Sequence, residues 1–236
     1  MTDLLYLPSD DYKTSFQATV TNTGDDYVVL DQTLFYKTGG GQPCDHGRLS
    51  FDDESIRVTQ VKKEHGEIRH YLEGPVPPVD TTVEGEVDWE RRYDHMRMHT
   101  AQHLVSWVVL ERFGAGTAGN QVHRKQSRID FSPVAFEEED LRLIEDVVND
   151  RIAEDLTVEK TQMSRDNVES RVADGRTNLD LIPDVVDPLR VVIIGDEDLC
   201  PCGGTHVNGL GELGGFSIVD TENKGADTER LVFELD

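Results

Sequence analysis

Three histidines and a cysteine stand at spacings that suit a single metal ion. His99 and His103 lie four residues apart in His99-Thr100-Ala101-Gln102-His103, so a helix would place both imidazoles on one face. Cys202 and His206 are likewise four apart, in the glycine-rich run Cys200-Pro201-Cys202-Gly203-Gly204-Thr205-His206. Three imidazoles and a thiolate form the tetrahedral N/S set that zinc favours. A helical histidine pair alone is often just surface, but both halves together point to a metal site. Cys202 is the better thiolate ligand, because Gly203 and Gly204 allow a tight loop back to His206. Cys200 keeps three readings: substitute ligand, supporting thiol or simply buried side chain. Cys44 is remote in sequence and reads as structural. His95, one turn before His99, reads equally as a substrate or phosphate contact and as a solvent position. No glutamate sits inside the histidine motif, which argues against peptide hydrolysis of the zincin kind.

Two further features invite chemistry. Gly39-Gly40-Gly41-Gln42-Pro43, followed by Asp45 and Gly47, lets backbone approach a ligand closely. No Lys-Ser/Thr follows it as in a P-loop, so no nucleotide cofactor is expected. On its residues alone the run reads as a tight turn completed by Asp45 and Gly47. The stretch from Arg91 to Arg128 carries Arg91, Arg92, Arg97, Arg112, Arg124, Lys125 and Arg128 against only Asp94 and Glu111. In a chain of formal charge -24, such a basic island is a candidate anion site.

These residues need elements to position them. The apolar and turn residues of positions 1–87 predict short strands at Phe16–Val20, Tyr27–Leu30, Arg57–Val61, Ile68–Leu72 and Thr82–Val87, hence a small barrel or sandwich. From Asp88 the texture changes. Trp89–Phe113 has helical composition, with Gly114 as its stop. A second helix is predicted over Glu137–Glu154, with Leu141, Ile144, Val147 or Val148, and Ile152 on one face. A third runs over Asp166–Asp174. Strands are predicted at Leu156–Thr161, Leu189–Ile194, Phe216–Asp220 and Leu231–Leu235, which makes residues 88–236 an α+β domain. The 236 residues, 36% hydrophobic, suffice for one or two cores. No apolar run approaches the ~20 residues that span a bilayer. The acidic N-terminus, with Asp3, Asp10 and Asp11, does not read as a signal peptide. An odd cysteine count with free thiols suits the cytoplasm. The lysine-poor, acidic surface suits a halophilic one.

Taken together, the motifs resemble the alanyl-tRNA editing family: the free-standing AlaX proteins and the matching editing part of alanyl-tRNA synthetase. The resemblance rests on Phe35-Tyr36 leading into Gly39-Gly40-Gly41-Gln42, on Asp45 and Gly47, and on His99-Thr100-Ala101-Gln102-His103-Leu104. It continues through Ile129-Asp130-Phe131 to Cys202-Gly203-Gly204-Thr205-His206-Val207. It implies two domains, a translation-factor-like β-barrel over 1–87 and an α+β zinc-binding editing domain over 88–236. The implied activity is zinc-dependent, ATP-independent deacylation of mischarged tRNA(Ala) in trans, chiefly seryl-tRNA(Ala) and also glycyl-tRNA(Ala). The glycine run would then meet the tRNA end or shape the amino-acid pocket. His99, His103, Cys202 and His206 would hold zinc. The ion would polarise the ester carbonyl, supply hydroxide near neutral pH, or orient the substrate amino group; sequence leaves the three open. Thr117 and Gln121 follow the histidine helix and, with Gln102, are pocket candidates for a serine hydroxyl. Arg92, Arg124 and Lys125 are candidate contacts to the acceptor stem. The turn Asn223-Lys224-Gly225-Ala226-Asp227 is less basic than the family's. The rival from another class is a non-catalytic RNA-binding module with a structural zinc. Oligomeric state is left open.

Overall fold

A computed structural model describes residues 2–7, 11–225 and 227–236; Asp10 of the acidic N-terminus and Ala226 of the C-terminal turn lie outside them. The chain divides into two compact units, Met1–Tyr93 and Asp94–Asp236.

The first unit is a closed six-stranded barrel. In chain order its strands are β1 (Asp3–Leu4), β2 (Ser15–Thr23), β3 (Tyr27–Leu30), β4 (Gln32–Thr33), β5 (Gly47–Phe51), β6 (Glu54–Glu64), β7 (Glu67–Glu73) and β8 (Thr82–Val87). Closure runs β2-β3-β7-β6-β5-β8, while β1 and β4 form a short parallel pair. Alternation explains the barrel: in β8, Val83, Gly85 and Val87 are buried between exposed Thr82, Glu84 and Glu86. The core gathers Val20, Leu30, Leu34, Phe35, Leu49, Ile56, Val58 and Val61, with Cys44 among them, as expected of a structural thiol.

Helix α1 (Trp89–Phe113) matches the predicted span. Asp88 caps its start, its Oδ1 accepting from the Arg91 N–H at 3.2 Å. Gly114 stops it at φ +66, where a side chain would be strained. The second unit continues with β9 (Gly116–Gln121), β10 (Gln126–Ser132), α2 (Glu138–Ala153), β11 (Val158–Met163), α3 (Arg165–Arg171), β12 (Leu189–Ile194), β13 (Asp198–Pro201), β14 (Phe216–Gly225) and β15 (Thr228–Leu235). Two antiparallel sheets result, β14-β15-β10-β9 and β11-β12-β13. Helix α2 buries Ile144, Val148 and Ile152 and carries Glu138, Glu139 and Asp140 in its first turn, where the helix dipole favours acids. Its start is tied by the Glu137 N–H to Asp140 Oδ2 at 2.8 Å. No helix among the described residues is long and apolar enough to cross a membrane.

Several expectations are corrected. Gly47 belongs to strand β5 rather than to a turn. A Cβ there would fall 2.0 Å from the Glu86 carbonyl oxygen, so the strands come together only over a glycine. Thr117 and Gln121, read only as residues following the histidine helix, lie on β9, a strand not predicted there. The third helix ends at Arg171, short of Asp174.

Candidate metal centre

Helix α1 carries His99 and His103 on one face, and the chain leaving β13 supplies Cys202 and His206. The four side chains bring one ligand atom each within 4.8 Å of one another, as a set that could hold a metal ion. Cys202 Sγ lies 3.3 Å from His206 Nε2 and 3.7 Å from His99 Nε2. The ring centroids of His99 and His206 are 4.3 Å apart, and those of His103 and His206 4.6 Å. All three histidines are buried, and Cys202 is the least covered of the four.

Local contacts aim these groups. The Gly204 N–H donates to Cys202 Sγ at 3.3 Å, so the Gly203–Gly204 turn wraps its own thiolate. Thr100 Oγ1 accepts from the Val207 N–H at 3.3 Å and meets His206 Nδ1 at 3.1 Å. With Nδ1–H donating to that hydroxyl, the Nε2 lone pair of His206 points at the cluster, the usual arrangement for a metal-bound imidazole.

Electrostatics keep the rings neutral. Burial, aided by Arg190, pushes His99 down to about 3. Burial first, then neighbouring imidazoles and the cations Arg176, Arg190 and Lys160, hold His103 and His206 well below the ordinary histidine value. Neutral imidazoles keep the lone pairs that a cation needs. His103 Nδ1 is buried and has no hydrogen-bond partner among the described residues, an omission that native interiors rarely tolerate. Nitrogen and sulfur donors without a carboxylate fit a borderline divalent ion such as zinc.

The other candidates sort differently. Gln102 is buried, donates to Ser106 Oγ at 2.9 Å and accepts from Asn120 Nδ2 at 2.9 Å. Thr117 Oγ1 donates to the same Ser106 oxygen at 2.8 Å. Gln102, Ser106, Thr117 and Asn120 thus form one polar chain between α1 and β9. Gln121 is outside that chain, its Oε1 accepting from Arg128 Nε at 3.1 Å. Ser106 and Asn120 escaped sequence reading, although Ser106 sits one turn beyond Gln102 on α1.

Cys200 is buried on β13 opposite Val192, outside the ligand set; burial pushes its thiol up. His95 is buried, which removes the solvent reading. Arg92 corrects the expected tRNA contact, because it is fully buried. Its Nε bonds both Asp45 oxygens at 3.1 and 3.0 Å, and its terminal nitrogens reach the carbonyls of Asp11 at 2.7 Å and Leu34 at 2.6 Å. Held in this way with no exposed surface, it does not face a phosphate. Arg124 does reach the surface, paired with Asp94 at 2.6 Å, and Lys125 beside it is exposed. The glycine run is a two-residue reversal. Gly39 and Gln42 exchange backbone hydrogen bonds at 3.1 and 2.9 Å, with Gly40 at φ +56 and Gly41 at φ +82 at an exposed tip. Both angles suit glycine.

Comparison with known proteins adds to this geometry. The alanyl-tRNA editing protein AlaX-M of Methanosarcina barkeri is 38% identical over 242 residues, covering 100% of this chain and 99% of that protein. The chain belongs to the alanyl-tRNA editing family. AlaX-M of Methanosarcina acetivorans is 36% identical over 248 residues, again covering 100% of the chain and 99% of the relative. The alanine–tRNA ligase of Thermococcus kodakarensis is 36% identical over 228 residues, which are 95% of this chain but 25% of the ligase. Within this editing-family chain, residues 189–232, which hold Cys202 and His206, match the family described as threonyl and alanyl tRNA synthetase second additional domain. Residues 8–91 match the family described as tRNA synthetases class II (A).

Proposed function

We propose that the chain is an aminoacyl-tRNA deacylase that edits mischarged tRNA(Ala), chiefly seryl-tRNA(Ala) and also glycyl-tRNA(Ala), in the cytoplasm of a halophile. The observation that carries this reading is the buried His99, His103, Cys202 and His206 cluster, in a chain alignable end to end with a named editing protein. The barrel over 1–87 and the α+β region over 88–236 are its two domains.

Zinc held by those four side chains would supply Lewis acidity beside the ester carbonyl. The chain's own residues do the rest. Burial keeps the three imidazoles neutral, so they serve as ligands and not as acids. Cys202, the least covered ligand, marks the side from which substrate approaches. The chain Gln102–Ser106–Thr117–Asn120 offers fixed polar atoms to a serine hydroxyl. Alanine would leave such a group unpaired, which is how a site rejects an analogue lacking a hydroxyl. Arg124 and Lys125 contact the acceptor stem, and the Gly40–Gly41 tip meets the tRNA end.

Deacylation of seryl-tRNA(Ala) by the purified protein, with and without chelator, tests the reading. Activity should vanish on metal removal while circular dichroism stays native, and return with zinc. A Cys202→Ala protein should lose both metal and activity. Full activity without metal would overturn the zinc assignment; no deacylation by metal-loaded protein would favour the RNA-binding alternative.

A further inference from the structure

Three buried cations surround the candidate ligands, and each donates to backbone carbonyls of the ligand segments. Arg176 Nη2 donates to the carbonyl of His103 at 3.2 Å. Arg190 Nη1 donates to the carbonyls of Cys202 at 2.9 Å and Gly204 at 2.7 Å. Lys160 Nζ reaches the carbonyls of Val207 at 3.1 Å and His206 at 3.5 Å, and the Asn208 side chain. Three of the four ligand residues therefore have their own carbonyl held by a side-chain cation. His99, the fourth, lies inside α1 as His103 does, where helical hydrogen bonding fixes both backbones; Arg176 adds a bond that ties the His103 turn to other elements.

Arg176 does more than hold one carbonyl. Its Nε and Nη2 bond Asp198 Oδ1 at 2.6 Å and Oδ2 at 2.7 Å. Asp198 begins β13, the strand that leads to Cys202. One guanidinium thus ties the helix bearing His103 to the strand feeding the cysteine–histidine loop. Arg176, Arg190, Lys160 and Asp198 are all less than a tenth exposed. Buried charges are expensive unless fully bonded. A chain that needed only to fill space here would use apolar side chains, and in a protein this poor in lysine the placement of Lys160 is telling.

We propose that Arg176, Arg190 and Lys160 are positioning residues that hold the ligand backbone in its metal-ready form before any ion binds. They act through the ligands and touch neither ion nor substrate. The proposal rests on the metal reading above and adds to it that the apo site is already shaped.

The full-length protein would be titrated with zinc against a chromophoric chelator, and with cobalt(II) while following its visible absorption. The variants are Arg176→Lys, Arg176→Met, Arg190→Lys and Lys160→Met, each also melted without metal. Supporting residues of this kind are worth about tenfold to hundredfold in metal affinity. Arg176→Met, Arg190→Lys and Lys160→Met should each weaken zinc by about tenfold or more and disturb the thiolate-to-cobalt band. Arg176→Lys keeps the charge but loses the bidentate fork, so it should also bind zinc more weakly than wild type. Variants that melt lower yet keep wild-type zinc affinity and cobalt spectrum would overturn the proposal, leaving the cations only structural. If Arg176→Met does not fold, Arg190→Lys and Lys160→Met still decide the matter. A wild-type protein that binds neither ion would instead bring down the metal reading itself.

Discussion

The two units bury polar side chains to opposite ends. In the barrel, buried polar groups satisfy one another: Asp45 takes Arg92, and the Thr33 hydroxyl donates to His70 Nε2 at 2.9 Å while accepting the Phe35 N–H at 3.1 Å. His70 completes its bonding through Nδ1 to the Val28 carbonyl at 3.4 Å. In the second unit, four ligand atoms converge on one another, and His103 Nδ1 has no hydrogen-bond partner among the described residues. Burial of a histidine or an arginine is therefore no sign of function by itself. What separates a structural polar group from a ligand is whether the surrounding chain uses up its donors and acceptors.

The strongest way to break that contrast is Arg92→Met. It strands the buried Asp45 carboxylate, and removal of one partner from a buried pair costs about 3–5 kcal/mol. Urea denaturation should register a loss of that size, while the folded fraction keeps its full metal content. A loss under 1 kcal/mol, or metal lost along with stability, would mean that the pair is not the self-contained structural element described.

Next in size is a pH effect confined to the barrel. Burial depresses His70 to about 4, against the pull of the Val28 carbonyl. Between pH 6.5 and about 4 the unfolded chain binds a proton at this position and the folded chain does not. Stability should therefore fall as pH drops through that window, by roughly 1.4 kcal/mol per pH unit and about 3 kcal/mol in all, and level off below it. A His70→Gln protein, compared with wild type by denaturation across the window, isolates this share from other titrating groups. Superimposable pH profiles would contradict it.

The smallest effect concerns the surface of the second unit. Pairing Arg124→Ala with Lys125→Ala should weaken tRNA binding whatever the sequence and lower the salt slope by about one per lost contact. Because the rest of the chain is acidic, wild-type binding should rise from low salt to an optimum before it levels or falls. Binding measured over a potassium chloride series decides this. Tightest binding at the lowest salt would overturn the expected optimum, and a double variant identical to wild type would remove these residues from the interface.

Much of this architecture is written in local pattern. Strand β12 and helix α1 match their predicted bounds because a short apolar run marks the first and helical composition with a glycine stop marks the second. Strand β9, Gly116-Thr117-Ala118-Gly119-Asn120-Gln121, was not visible as a strand. Its residues have poor strand propensity, and it extends because β10 offers it a ladder. The short β13 hid likewise behind its proline. At the site, the ligands were legible since four-residue spacing has a geometric meaning. Arg92 was misread as a phosphate contact since its partner Asp45 lies on a distant loop, and a charge count treats every arginine as solvated. Arg176 gave no local signal at all: both its partners come from other elements.

The order of the ligands along the chain also sets when the site can exist. His99 and His103 leave the ribosome early, on a helix that can form from local contacts. Cys202 and His206 follow only after α2, α3 and the strands β11 to β13 have been made, and β15, which pairs with β10, comes last of all. A nascent chain thus displays two ligand imidazoles alone through the whole stretch from His103 to Cys202, and two imidazoles grip an ion weakly. Loading of the centre waits for Cys202 and His206, so a ribosome that stalls before Cys202 releases a product whose defect is missing ligands and not a shortage of metal.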